Sequence, residues 1–168
     1  MKSCNLILTG WGYSEYVAAS AAALKALKGD AEIKGVSKRR LPELLEEISV
    51  QKRNGTLSAV YILGVSLSGD PERLASALAK LQGKSVAVTW ISAVEMPDGI
   101  AEKVTSLLDA KVFDTSLLET VGQAFSVDVE LFKPLLKESG KVSGDMRDYL
   151  KFIAAAQFYY RNYQDQNP

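Results

Sequence analysis

Short apolar runs rich in β-branched residues alternate along the chain with longer stretches of helical period. Cys4–Thr9 (CNLILT) predicts a first strand. Ser14–Lys28 (SEYVAASAAALKALK) predicts a helix whose alanines suit close packing on a sheet, and Gly29 stops it. A second strand is expected over 31–36 and a second helix over 41–52, terminated at Asn54-Gly55. The third strand, 59–66 (AVYILGVS), is apolar nearly throughout, as suits a strand covered on both faces. Asp70-Pro71-Glu72 then opens a helix with an N-cap acid and a proline in the first turn, and that helix runs to Gln82 before Gly83. A fourth strand at 85–91, a helix at 97–108, a short fifth strand at 111–113 and a helix at 116–125 complete the pattern. Strand–helix alternation of this kind dictates parallel strands, right-handed crossovers and helices on both faces. The fold class expected is therefore α/β: a doubly wound, mainly parallel five-stranded, Rossmann-like sheet over residues 1–126, with a helical extension over 127–168. In that extension a short helix at 129–137 contains Pro134, a loop covers 141–144, and a helix at 145–163 carries Tyr149, Tyr159, Tyr160 and Tyr163.

Composition narrows the function classes. Twenty Lys+Arg balance 20 Asp+Glu, so the chain has no bulk attraction for nucleic acid or an anionic membrane. The single cysteine, Cys4, excludes an internal disulfide and a zinc knuckle, and its place in an apolar run predicts a buried thiol. No secretory signal pattern is present, and no stretch approaches the roughly 18 apolar residues of a membrane span. A cytoplasmic protein is expected. Histidine is absent from all 168 residues, which excludes a Ser–His hydrolase triad.

Ligands of a doubly wound sheet bind outside the carboxyl ends of its strands. The candidate binding residues there are Gly10, Trp11, Gly12 and Tyr13 after the first strand, and Lys38, Arg39 and Arg40 after the second. Ser66, Ser68 and Gly69 follow the third, Ser92 ends the fourth, and Thr115 follows the fifth. This rim is rich in hydroxyls, glycine and positive charge. For a metal it offers Asp70, Glu95 and Asp114, of which Asp70 reads better as a helix cap, so neither a metal nor a cofactor is expected. No catalytic residue is assigned, since Ser66 and Ser68 lack the glycine spacing of a nucleophile elbow. Lys38–Arg40 with Ser66, Ser68 and Gly69 at helix starts suit a phosphate or carboxylate, and Trp11 or Tyr13 could stack on a base. The same basic run also reads as solvated surface. Gly10-x-Gly12 begins a dinucleotide turn of the NADP type, but Glu15 stands at the third glycine position.

Three stretches, ILTGWGYSEYVAASAAALKAL, LSGDPERLASALAKLQGKSVAVTWIS and VFDTSLLETVGQAF, fall in an order that resembles the N-terminal domain of the DHH phosphoesterase superfamily over about residues 5–125. That resemblance implies a nucleotide-handling scaffold with paired manganese ions held by His and Asp. The positions that would carry those ligands do not. Residues 5–16 contain neither type, Gly64-Val65-Ser66 stands at the second motif, and Ser92-Ala93-Val94 stands where Asp-His-His would fall. The order of segments is also similar to the N-terminal sensory segment of sigma-54-class bacterial transcriptional activators, which precedes an ATPase. The function expected is a non-catalytic regulatory or ligand-sensing domain of a bacterial transcriptional regulator, binding a small anionic or nucleotide-like ligand on the rim. Helix 145–164 would couple it to a downstream ATPase domain or to a second copy, with no membrane and no direct nucleic-acid partner. A phosphoesterase, an NADP-dependent enzyme and a dimerisation module are the alternatives.

Overall fold

The computed structural model describes residues 4–10, 14–50, 57–67 and 69–136. Its strands are β1 (Cys4–Thr9), β2 (Ala31–Gly35), β3 (Leu57–Leu63), β4 (Ala87–Ser92) and β5 (Asp109–Val112). Its helices are α1 (Ser14–Ala26), α2 (Leu41–Val50), α3 (Pro71–Gly83), α4 (Asp98–Val104) and α5 (Leu117–Phe125), followed by a 3₁₀ helix at Glu130–Leu136. Every strand pair is parallel, in the order β2-β1-β3-β4-β5. The fold is the expected Rossmann-like α/β sheet with alternating helices.

Period-two alternation sorts the strand side chains into two cores. Leu6, Leu8, Val60, Ile62, Val88 and Trp90 pack with residues of α2, α3 and α4. Ile7, Leu63 and Ile91, with the half-buried Tyr61, pack with α1 and α5. On α1 the expected small-residue face is real: Ala18, Ala19, Ala22 and Ala23 are wholly buried. Their size lets α1 lie close to both the sheet and α5. Among the described residues Trp90 is the largest fully buried side chain, and its Nε1–H donates to Val65 O at 2.8 Å.

Helix ends follow their caps. Asp70 Oδ1 accepts from Glu72 N and Arg73 N at 3.0 and 3.2 Å with Pro71 behind it, which is the cap role the sequence predicts. Ser116 Oγ accepts from Glu119 N at 3.3 Å to start α5. Several boundaries differ from expectation for local reasons. Lys28 and Gly29 take positive φ, so α1 stops at Ala26. Gly64, at φ 65°, ends β3 before Ser66, and Ser85, at φ 59°, delays β4 to Ala87. Helix α4 stops at Val104, and β5 begins earlier than predicted, at Asp109, because Asp109 and Ala110 pair with Thr89 and Trp90.

Cys4 is half-buried rather than buried, with its Sγ 3.4 Å from Asn5 O. The short helix around Pro134 is 3₁₀ in form; it seats Leu135 in the α1/α5 core. The predicted Asn54-Gly55 terminator, the loop at 141–144 and the helix at 145–163 lie outside the described residues. Among the described residues, no helix is long and apolar enough to cross a membrane.

Candidate functional site

The strand order reverses between β1 and β3, because α1 leaves one face of the sheet while α2 and α3 cover the other. A crevice opens at such a point, beyond the carboxyl ends of the two strands. Here an aromatic ring stands at it. A Cβ on Gly10 would come within 2.5 Å of Tyr16 Cζ, and one on Gly64 within 2.8 Å of Tyr16 Cε1 and 2.5 Å of Leu117 Cδ2. Glycine at both strand ends is thus what allows Tyr16 and Leu117 to close over them. Tyr16 Oη lies 3.4 Å from Gly64 O and donates to it.

Glu15, one residue earlier on α1, completes the closure. Its Oε1 accepts the Leu117 N–H at 2.6 Å. That N–H belongs to the first turn of α5, where helix geometry leaves donors unsatisfied and the dipole favours negative charge. The carboxylate therefore ties the start of α1 to the start of α5 across the end of the sheet.

Beside this closure lies a cavity of ≈ 470 Å³, lined by Glu15, Tyr16, Gly64, Leu117 and the loops 92–94 and 115–116. The size suits a small molecule. Ser92 is buried and its Oγ accepts from Val94 N at 3.0 Å, which leaves its own proton to donate. Thr115 Oγ1 sits 3.1 Å from Thr120 Oγ1. Val94, 72% exposed, gives the mouth an apolar edge.

Of the residues proposed from sequence, Ser92 and Thr115 line this cavity, and Gly10 lies under the Tyr16 ring. Lys38, Arg39 and Arg40 are exposed on the turn before α2, where Arg40 Nη2 is 3.8 Å from Glu47 Oε1. Gly69 belongs to that side too: a Cβ on it would lie 4.0 Å from Pro42 Cγ of α2. Ser66 is exposed and does not line the cavity. Trp11, Gly12, Tyr13 and Ser68 lie outside the described residues. The structure thus separates the basic run from the hydroxyl cluster. Glu15, Tyr16 and Leu117 are the residues that sequence reading missed. Their signal was the departure from the glycine fingerprint, since Glu15 occupies the position where a third glycine would let the helix pack close to the strand.

Among the described residues, no three His, Cys, Asp or Glu side chains come together. Glu95 and Asp114 are exposed, and Asp70 is engaged as a cap. One marked electrostatic coupling lies on the outer surface of α2 and α3. Arg73 donates to Glu46 Oε2 through Nε at 3.0 Å and Nη2 at 2.7 Å, and these bonds hold the Glu46 carboxyl below its ordinary pKa.

No family model matches the chain, and no curated protein matches it. Among solved structures it has a distant similarity to an exopolyphosphatase-related protein from Bacteroides fragilis, with a TM-score of 0.43 and 8% identity over 74% of this chain. A putative pilus assembly-related protein from Burkholderia pseudomallei K96243 is similar at a TM-score of 0.39 and 10% identity, again over 74% of this chain. The chain spans 39% of the length of the first and 91% of the second.

Proposed function

We propose that this chain is a recognition domain that senses a small ligand in the strand-end cavity without turning it over. The setting we infer, from the order of its segments, is the regulatory end of a bacterial transcriptional activator. The observation that carries the reading is the Tyr16 ring, fitted against Gly10 and Gly64 in the crevice that a doubly wound sheet otherwise offers to a cofactor or phosphate. What stays open is the neighbouring cavity. A ligand there would touch α1 through Glu15 and Tyr16, the ends of β3 and β4 through Gly64 and Ser92, and the start of α5 through Leu117.

Such a ligand bridges α1 and α5, and the 3₁₀ segment packs in the same core through Leu135. A shift of α1 against α5 would therefore reach this segment. Signalling requires only that the ligand bind two arrangements of these helices unequally. The test is an amide chemical-shift screen of the full chain against a metabolite library, run beside hydrolysis assays on phosphodiesters and pyrophosphates. Saturable shifts at Gly64, Ala93, Val94 and Leu117 without turnover are expected. Sustained phosphodiester cleavage that Ser92→Ala abolishes would overturn the reading.

A further inference from the structure

The charge of the cavity wall selects the class of ligand. Among the described residues that line it, Glu15 is the one charged side chain. Basic residues do not compensate, because Lys38–Arg40 stand before α2 and outside the lining. The start of α5 would ordinarily attract an anion. Here two of its donors are already engaged: Glu15 takes the Leu117 N–H, and Ser116 Oγ takes the Glu119 N–H. An incoming phosphate or carboxylate would face a resident carboxylate and find those donors occupied.

A cation meets the opposite situation. A carboxylate has about four lone-pair sites, and one N–H bond leaves room for more. Ser92 and Thr115 line the same cavity, and each hydroxyl oxygen is able to accept a hydrogen bond. Three donors on a primary ammonium group match this set. Val94 and Leu117 supply apolar contact for a short alkyl body.

We infer that the cavity binds a small primary amine in its ammonium form, with Glu15 as the selecting charge. This rests on the reading of the cavity as a ligand site. It replaces an anionic ligand with a cationic one.

The test uses ¹⁵N-labelled full chain and four probes at fixed ionic strength: n-butylammonium, n-butanol, butyrate and inorganic phosphate. Butylammonium should move the amides of Gly64, Ala93, Val94, Ser116 and Leu117 saturably, whereas butyrate and phosphate leave them in place. Glu15→Gln keeps an oxygen for the Leu117 N–H and removes the charge. It should weaken butylammonium binding about 10-fold or more, the value of one charge-assisted bond, while the amide spectrum of the sheet stays unchanged. Should that variant fail to fold, the preference of the native chain for butylammonium over its neutral and anionic counterparts decides alone. Equal binding of butanol, butyrate or phosphate overturns the ammonium assignment but leaves the cavity a ligand site. So does a Glu15→Gln chain that binds butylammonium as tightly as the native one. If no probe moves the cavity amides, both the assignment and the ligand-site reading fall.

Discussion

Two glycines with the same backbone conformation separate steric closure at the strand end from backbone strain. Gly64 has φ +65° and Gly29 has φ +77°, both in the region that L side chains rarely adopt. An alanine at either position incurs the left-handed penalty, about 1–2 kcal/mol. At Gly29 nothing lies within 4 Å of the new Cβ, so that penalty is the whole cost. At Gly64 the Cβ would stand 2.5 Å from Leu117 Cδ2 and 2.8 Å from Tyr16 Cε1. Both neighbours are packed in the α1/α5 core, and overfilling such a site costs a further ~1–3 kcal/mol. Gly64→Ala should therefore lose about 2–5 kcal/mol in total, against about 1–2 kcal/mol for Gly29→Ala. Urea unfolding followed by far-ultraviolet circular dichroism reads both, and equal m-values would show that the change lies in native stability. If the two variants fall within about 0.5 kcal/mol of each other, Tyr16 and Leu117 yield to the added methyl. The crevice is then not firmly closed, and recognition without turnover loses its support.

Trp90→Phe should cost on the order of 2 kcal/mol, because Val65 O loses a buried donor and the smaller ring leaves space; denaturant unfolding checks it. Asp70→Ala removes the cap that serves Glu72 N and Arg73 N, and should cost about 1 kcal/mol in the same assay. The Arg73–Glu46 pair gives a pH prediction. Glu46 has a depressed carboxyl pKa, so its contribution is present above the ordinary carboxylate range and is lost as pH falls through the lowered value. A double-mutant cycle with Arg73→Ala and Glu46→Ala should show coupling at neutral pH that vanishes in acid. Coupling that persisted after protonation would place its origin in packing instead.

The strands and the helix starts were legible because their causes are local. Alternation of apolar positions fixes which residues of β1 and β3 face each core, and Asp70-Pro71 announces α3 through its own side chains. The start of β5 was not legible. Asp109 and Ala110 have little strand preference, and they extend because β4 presents Thr89 and Trp90 for pairing. The site divides along the same line. That Ser92 and Thr115 would stand at strand ends follows from each segment alone, and both reach the cavity.

Grouping them with Lys38–Arg40 required the order of strands, which no local pattern encodes. In the observed order three strand spacings separate the end of β2 from that of β4, and four separate it from β5. At about 4.8 Å per spacing these are roughly 14 and 19 Å. One phosphate or one short amine cannot span that distance, so the basic run and the hydroxyl cluster cannot share a ligand of that size. With the basic run at the far edge, the charge nearest the cavity among the described residues is the carboxylate of Glu15. A residue taken in isolation for a failed glycine becomes, once the sheet order is known, the group that determines what the cavity can hold.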